Sequence, residues 1–278
     1  MIQEGISFIK DLSGFSGCKI KLYSKGSFNF VRKISASKDY NSRLESQMNK
    51  QIYFYENLMT KNLRAPKVIN SGEIDGLFFF DMEYVRGITL VEHVLESSPK
   101  NLKKISRMLI EMLKLMKSTQ RNSDIDVSLK INLKLNQIKS KMTENYSELN
   151  DIQIPELSLK ESFCHGDLTF ENIIYDKESG NYYLIDFLDS FIDNYFFDIV
   201  KLFQDLEGYW YLLRNPKIDK KLMEIKMFFI KEFILNNFLI DEDYLKYHKN
   251  LLKLNFARIL PYASGEKFEK VLKIIRAI

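Results

Sequence analysis

The most informative residues of the chain read HGDLTFEN at 165–172 and IDF at 185–187. They supply the carboxylate of Asp167, the amide of Asn172 five residues later, and a second carboxylate, Asp186. Carboxylate and amide oxygens are hard ligands for Mg²⁺, and a further carboxylate can orient an attacking hydroxyl and accept its proton. Together these groups indicate transfer of a phosphoryl group from a nucleotide.

The segment between Asn172 and Asp186 has the pattern of a β-hairpin. Apolar runs at 173–175 and 182–185 enclose a polar turn. Because a hairpin returns the chain toward its start, these two residues, fourteen apart in sequence, are expected to converge on one ion. We therefore assign Asp167 to orient the acceptor, and Asn172 and Asp186 to bind the metal. A Gly-Asp step followed by Asn is by itself most often only a turn or a cap, so the assignment depends on the combination.

The first third of the chain predicts a small antiparallel sheet and a helix. Short runs rich in Ile, Phe, Val and Tyr predict strands at 6–12, 18–23, 28–34, 68–74 and 76–84. Apolar residues at three- and four-residue spacing predict an amphipathic helix over 40–59. Alternation with period two places Lys33 and Val31 on one face of the third strand, and Arg32 on the other.

The rest of the chain predicts mainly helices. Helical periodicity covers 90–95, 102–119 and 122–150 and returns after 197. We expect an α+β protein with two lobes. Residues 1–86 would form a nucleotide-binding lobe and hinge, and 87–278 a helical lobe with the catalytic loop and the acceptor site.

The catalytic segment resembles that of protein kinases and, more closely, that of the aminoglycoside phosphotransferase and choline kinase family. As in those small-molecule kinases, Gly166 stands where protein kinases favour Arg, and Leu188 replaces the glycine of the DFG motif. FDIV at 197–200 is similar to the family's Asp-Leu-Ala segment, whose Asp, here Asp198, is usually structural. The resemblance covers about 12–198 and implies the bilobal protein-kinase-like fold.

The same resemblance implies a loop that covers the nucleotide phosphates. LSGFSG at 12–17 lies between the first two predicted strands. Backbone N–H groups around Gly14, Ser16 and Gly17 would bind the phosphates.

Two further elements complete the implied nucleotide site. Lys33, in a strand that resembles the family's Val-Ala-Ile-Lys strand, would contact the α- and β-phosphates. MEYVRG at 82–87 resembles the hinge, where the backbone of Glu83 and Val85 would meet the adenine edge.

In this family the helix after the lysine supplies a glutamate that holds it. Glu45 comes twelve residues after Lys33 on the flank of the apolar stripe, whereas Gln51 is better placed but uncharged. We expect Glu45 to form the ion pair, with a neutral hydrogen bond to the lysine as the alternative.

Two neighbours of Asp167 have structural interpretations. In kinases of this type the equivalent of His165 is a scaffold that hydrogen-bonds backbone near the metal ligand, and we expect the same role here. Cys164 has no obvious paired base, which favours a small buried thiol over a nucleophile.

Composition narrows the class of protein. A hydrophobic fraction of 45% is ample for a core, and 41 basic against 37 acidic residues, spread along the chain, argue against nucleic acid as the partner. Cys18 and Cys164 lie far apart outside any CxxC pair, which favours a reducing, cytoplasmic setting. No stretch approaches the roughly 18 apolar residues that span a bilayer, so no membrane partner is expected. The oligomeric state is left open.

The sequence therefore predicts an ATP- and Mg²⁺-dependent kinase of a small hydroxylated molecule. The resemblance implies acceptors such as amino alcohols, aminoglycosides or sugars, and an acidic cluster at Asp189, Asp193 and Asp205 would suit a cationic one. The alternative is a regulatory nucleotide-binding module of the same fold with little turnover. A protein kinase is disfavoured by Gly166, by Leu188 and by the lack of an Ala-Pro-Glu segment.

Overall fold

The computed structural model describes residues 5–12, 17–142, 146–215, 217–238 and 242–278. The strands are β1 Ile6–Leu12, β2 Lys19–Lys25, β3 Phe28–Ile34, β4 Leu63–Arg64, β5 Val68–Ile74, β6 Leu77–Glu83, β7 Ile88–Thr89, β8 Asp124–Asp126, β9 Ser158–Lys160, β10 Ile173–Tyr175 and β11 Tyr182–Leu184. The helices are α1 Asn41–Asn57, α2 Leu90–Glu96, α3 Pro99–Ser118, α4 Val127–Lys139, α5 Tyr195–Leu206, α6 Trp210–Arg214, α7 Lys220–Asn237, α8 Glu242–Ala257 and α9 Gly265–Ala277. Short 3-10 helices cover Lys38–Tyr40, Ser147–Leu149, Phe170–Asn172 and Leu260–Tyr262.

The main sheet has the order β1-β2-β3-β6-β5, with antiparallel neighbours throughout. The predicted alternation along β3 is confirmed, because Val31 and Lys33 are buried on the face that meets α1. On the other face Arg32 makes two hydrogen bonds of 2.7 and 2.8 Å to the carboxylate of Asp81 on β6. The face toward α1 closes over a core that includes Cys18, Leu44, Met48 and Phe80.

A second sheet, in the order β4-β11-β10-β7, contains the predicted hairpin. β10 and β11 pair antiparallel, β7 pairs with β10, and β4 pairs parallel with β11. Because of these pairings, Asn172–Asp189 forms one compact unit with the residues up to Thr89, and Leu90–Glu171 with Ser190–Ile278 forms the other. The units therefore differ from the predicted division at residue 86, which left the hairpin with the helices.

The second unit consists mainly of helices around the buried α5. α3 packs against α7, and α5 packs against α8. Asn194 caps α5 by accepting a hydrogen bond from the N–H of Phe196, as expected of an Asn that precedes an apolar run. Every residue of α5 except Lys201 is buried, so this helix is enclosed on all sides.

The α+β class predicted from the sequence is confirmed, with local differences. The segment predicted as a helix over 122–150 instead contains β8, α4 and a 3-10 turn. The first residues of that segment form β8, which pairs with β9. The carboxylate of Asp126 then caps α4 by accepting from the N–H of Leu129. Among the described residues, no helix combines the length and the apolar character that a bilayer-spanning segment needs.

Replacing Arg32 by Met should lower the free energy of unfolding by about 3 kcal/mol, because it leaves the carboxylate of Asp81, only 4% exposed, without its cation. The control is Arg276→Met, which breaks an exposed pair with Glu148 and should change stability by less than about 1 kcal/mol. Urea unfolding followed by circular dichroism measures both. Equal losses in the two variants would show that burial does not govern the Arg32 pair.

Candidate active site

Lys33 is held on the buried face of β3. Only 3% of the residue is exposed, and its Nζ donates to Oε1 of Gln47 on α1 at 3.1 Å. Its ammonium also forms an ion pair with Asp186. A buried ammonium needs such partners because it has lost its water. The first unit thus brings together a lysine and a carboxylate that the sequence assigned to the nucleotide and to the metal.

The partner of Lys33 on α1 differs from the predicted one. Glu45 is exposed on this helix, and the predicted Lys33–Glu45 pair is wrong. Gln51 donates instead to the carbonyl of Pro66. The reason is rotation about the helix axis: residues two apart are turned by about 200°, so Gln47 faces the sheet and Glu45 faces away. Gln47 also donates from Nε2 to the hydroxyl of Tyr40, which fixes its amide.

Asp186 and Asn172 are brought together by the hairpin. The N–H of Ile185 donates to the carbonyl of Asn172 at 3.0 Å. Asp186 has a φ of +60°, a left-handed conformation that non-glycine residues rarely adopt and that concentrates at functional sites. The buried ring of Phe187 packs against Phe54 of α1 and anchors the segment that follows.

The residues around Asp186 suit Mg²⁺. Asn172 and Asp186 offer an amide and a carboxylate oxygen, and the side chain of Asp186 is 34% exposed, open to water or phosphate. Over the described ranges no group of three or more His, Cys, Asp or Glu residues has the arrangement of a metal site. Mg²⁺ typically binds through one or two protein oxygens and fills its remaining positions with water and phosphates.

The hinge segment follows β6 directly. Glu83 is tied to the neighbouring segment, since its N–H donates to the carbonyl of Lys67 and its carboxylate accepts from the N–H of Lys67, both at 3.0 Å. Val85 lies beyond the end of β6 and is half-buried. Gly87 passes so close to β10 that a Cβ there would lie 2.5 Å from the carbonyl oxygen of Tyr175, so only glycine fits.

Part of the predicted phosphate loop is described. Gly14 and Ser16 lie outside the described residues. Gly17 has a φ of +75°, which glycine adopts without strain.

In the second unit the loop that carries Asp167 is held by a buried carboxylate. Asp198 is fully buried and accepts from the N–H of His165 at 2.7 Å and of Gly166 at 3.0 Å. Sγ of Cys164, a buried thiol that is not in a disulfide, donates to the same carboxylate at 3.3 Å. Nδ1 of His165 accepts from the N–H of Asp167, the kind of backbone contact expected of a scaffold. These bonds fix the backbone that leads to Asp167.

The side chain of Asp167 pairs with Lys201 of α5, Nζ to Oδ1, at 3.0 Å. Burial raises the pKa of Asp167, but the ammonium of Lys201, helped by His165 and Arg258, outweighs it and leaves the pKa below its ordinary value. Asp167 is therefore a carboxylate at neutral pH and can accept a hydrogen bond from a hydroxyl.

Asp205, also on α5, has a pKa that is shifted in the opposite direction from that of Asp167. Its carboxyl group is fully buried and accepts from the N–H of Phe170 at 2.7 Å, while its other oxygen has no hydrogen-bond partner among the described residues. Burial raises the pKa of Asp205 to about 7. The predicted acidic cluster therefore loses this member, because a buried carboxyl bonded to backbone offers no surface charge to a cationic acceptor.

The lysine on a strand and the carboxylate at a hairpin belong to the first unit, and the ionised aspartate beside a buried helix belongs to the second. A family model described as the phosphotransferase enzyme family (APH) matches residues 25–216, more than half of the chain. The chain belongs to this family, and it is a phosphotransferase of the small-molecule kinase class. No curated protein sequence gives a significant match.

Solved aminoglycoside phosphotransferases share the fold. A thermostable mutant of APH(4)-Ia in ternary complex with ADP and hygromycin B has a TM-score of 0.64 at 13% identity, covering 98% of this chain and 94% of that one. The aminoglycoside-3'-phosphotransferase of type VIII has a TM-score of 0.55 at 16% identity, covering 90% and 93%. Another APH(4)-Ia mutant, with AMP-PNP and hygromycin B, has a TM-score of 0.52 at 14% identity, covering 98% and 94%. This likeness confirms the predicted protein-kinase-like fold.

Replacing Gln47 by Leu should lower the free energy of unfolding by about 1–3 kcal/mol, because the buried ammonium of Lys33 loses its amide acceptor. The control is Glu45→Gln on the same helix, which should stay within about 0.5 kcal/mol because Glu45 is exposed. Urea unfolding measures both variants. A larger loss in Glu45→Gln would restore the predicted Lys33–Glu45 pair.

Asp205 should make stability depend on pH. Its folded-state pKa of about 7 lies above the unfolded value of about 3.9, so between these values the folded state binds more protons and stability falls as pH rises. Asp205→Asn cannot ionise and should lose less stability between pH 4.5 and pH 8, by on the order of 1–3 kcal/mol. The measurement is urea unfolding at both pH values, followed by the fluorescence of Trp210, the only tryptophan.

The control for this experiment is Asp176→Asn. The hydroxyl of Ser179 lowers the pKa of Asp176, so this substitution cannot remove a fall in stability toward high pH. If Asp205→Asn and the wild type show the same pH dependence, Asp205 is ionised throughout.

Proposed function

We propose that the protein transfers the γ-phosphoryl group of ATP, with Mg²⁺, to a hydroxyl of a small molecule such as an amino alcohol, an aminoglycoside or a sugar. The observation that carries this proposal is the ion pair of Asp167 with Lys201 at 3.0 Å, which keeps the assigned acceptor-orienting residue ionised. Membership of the phosphotransferase family supports it.

Each assigned residue has one task in the reaction. Asp167 accepts a hydrogen bond from the acceptor hydroxyl, whose oxygen attacks the γ-phosphorus while the bond from that phosphorus to the oxygen of ADP breaks. The hydroxyl proton passes to Asp167 and then to solvent, so the products are ADP and a phosphate monoester. Lys33 contacts the α- and β-phosphates. Asn172 and Asp186 would hold Mg²⁺, which offsets the charge of the phosphate oxygens when bound.

Covalent connection supports joint action of Asp167 and Asn172. They are five residues apart, so the chain alone limits their separation to about 18 Å.

Nucleotide binding is supported by two features. ADP and AMP-PNP occupy the aminoglycoside phosphotransferases of the same fold. In this chain, Val85 lies just beyond the end of β6, where we propose that the backbone of Glu83 and Val85 binds adenine, and Gly17 belongs to the loop proposed for the phosphates. Neither Cys18 nor Cys164 forms a disulfide with the described residues, which supports a reducing, cytoplasmic location, where ATP is available.

The acceptor we propose is small and hydroxylated, as hygromycin B is in the related complexes. The regulatory module without turnover is the rival. The argument for that module is that Gln51, the better-placed residue on the helix after Lys33, is not a glutamate. In the structure Gln47 holds the lysine instead, by a neutral hydrogen bond of 3.1 Å. Retention of Asp167, Asn172 and Asp186 favours the enzyme.

The test is ADP release with Mg-ATP and a panel of amino alcohols, aminoglycosides and sugars. Asp167→Asn should lower kcat by about 10²–10⁴-fold and leave nucleotide affinity unchanged, because it removes only the acceptor-orienting carboxylate. Lys33→Met should mainly raise KM for ATP. The matched control is Asp176→Asn, an exposed turn residue whose loss should leave kcat unchanged.

Two outcomes would contradict the proposal. Intact nucleotide binding without acceptor-dependent ADP release across the panel would favour the regulatory module. Transfer of phosphate to a protein but to none of the small molecules would favour a protein kinase.

A further inference from the structure

The face of α5 toward the catalytic loop carries three polar side chains at helical spacing. Asp198, Lys201 and Asp205 lie at positions i, i+3 and i+7, which share one face of a helix. Asp198 binds the backbone N–H groups of residues 165 and 166, Lys201 pairs with Asp167, and Asp205 binds the backbone N–H of residue 170. Asp198 and Asp205 therefore bind backbone N–H groups. Lys201 alone meets a side chain that the proposed reaction uses.

Lys201 is held from two sides. Its side chain is 15% exposed, and its Nζ donates to Oε1 of Gln204 at 3.3 Å besides pairing with Asp167. The buried amide of Gln204 in turn accepts from Nδ2 of Asn255 on α8. This arrangement differs from an exposed ion pair, in which both side chains move freely and water screens the charges.

Asp205 shows what a carboxyl group on this helix does when no cation of the described residues pairs with it directly. The N–H of Phe170 donates to it, and burial raises its pKa to about 7 although the more distant charge of Lys201 acts in the lowering direction. Burial also raises the pKa of Asp167, but there Lys201 is the largest opposing influence. The groups that face Asp167 also include His165 and Arg258, which act in the same direction as Lys201.

We propose that Lys201 is a positioning residue for phosphoryl transfer, which holds the carboxylate of Asp167 ionised and in one orientation toward the acceptor hydroxyl. The inference rests on the proposed function, because Lys201 acts only through Asp167. Lys201 is in turn held by residues behind it. Asn255 donates to the amide oxygen of Gln204, and the same oxygen accepts from Lys201, which pairs with Asp167.

The first experiment measures the electrostatic coupling without any acceptor. The carboxyl ¹³C signal of Asp167, assigned by its loss in Asp167→Asn, is titrated in the folded wild type and in Lys201→Met. The acid dissociation constant of Asp167 should fall at least about tenfold in Lys201→Met and return in Lys201→Arg, which keeps the charge. Lys220→Met, which removes an exposed lysine paired with Glu224, should leave it unchanged.

The second experiment measures kcat against pH for ADP release with an alcohol that the panel has identified. In Lys201→Met the acidic limb of the profile should move to higher pH by at least about one pH unit, so that kcat falls most at the acidic end of the profile and little at pH 8. Lys201→Arg should restore the limb, and KM for ATP should stay the same. A merely structural lysine would change stability without moving this limb.

The inference fails if the titration of Asp167 in Lys201→Met matches that of the wild type. It also fails if the wild type turns over an acceptor and Lys201→Met has the same pH profile, and in that case the proposed function stands. If no acceptor is turned over, the proposed function fails while the carboxyl titration still decides whether Lys201 controls Asp167.

Discussion

The second unit depends on the buried carboxylate of Asp198. A charge without water is tolerated in a protein only when hydrogen bonds replace its hydration. The backbone N–H groups of His165 and Gly166, with the thiol of Cys164, supply them. Because these donors come from consecutive residues, satisfying the carboxylate also fixes the backbone that leads to Asp167. Gly166, with a φ of +89°, allows the turn that points both neighbouring N–H groups at one acceptor.

Much of the first unit could be predicted because its strands are short apolar and aromatic runs between turns, and because successive side chains of a strand point to opposite faces. The alternation along β3 separated Lys33 from Arg32, and the structure pairs one with Gln47 and the other with Asp81. The partner of Lys33 could not be predicted as easily. One residue along a helix rotates a side chain by about 100°, so the choice among Glu45, Gln47 and Gln51 depended on the helix register rather than on residue type. The expectation of a charged partner then favoured Glu45, the acidic residue among the three.

In the second unit the sequence showed which acidic residues stand near the catalytic loop, but it did not show how each is buried and hydrogen-bonded. Asp198 was expected to be structural, whereas Asp205 was grouped with Asp189 and Asp193 as a surface charge. The two differ in what the fold brings to them: the N–H groups of His165 and Gly166 and the thiol of Cys164 meet Asp198, whereas among the described residues Asp205 accepts from the N–H of Phe170 alone. Lys201 was missed although its spacing from Asp198 and Asp205 was readable as one helix face. A lysine within an apolar helix is a signal in itself, because an ammonium is retained there only where a carboxylate or another acceptor meets it.

The neutral partner of Lys33 has a consequence for phosphate binding. A glutamate beside the ammonium would orient it and also cancel much of its charge, whereas the amide oxygen of Gln47 orients it and leaves the charge intact. The ammonium is then balanced in the first unit by Asp186, which the hairpin places beside it. When a phosphate approaches, its oxygens compete with that one carboxylate rather than with two. The amide of Gln47, itself fixed by Tyr40, keeps Nζ in place during the exchange. In the site that we propose, the charge of Lys33 would attract the anionic nucleotide while hydrogen bonds position the lysine, so that attraction and positioning rest on different groups.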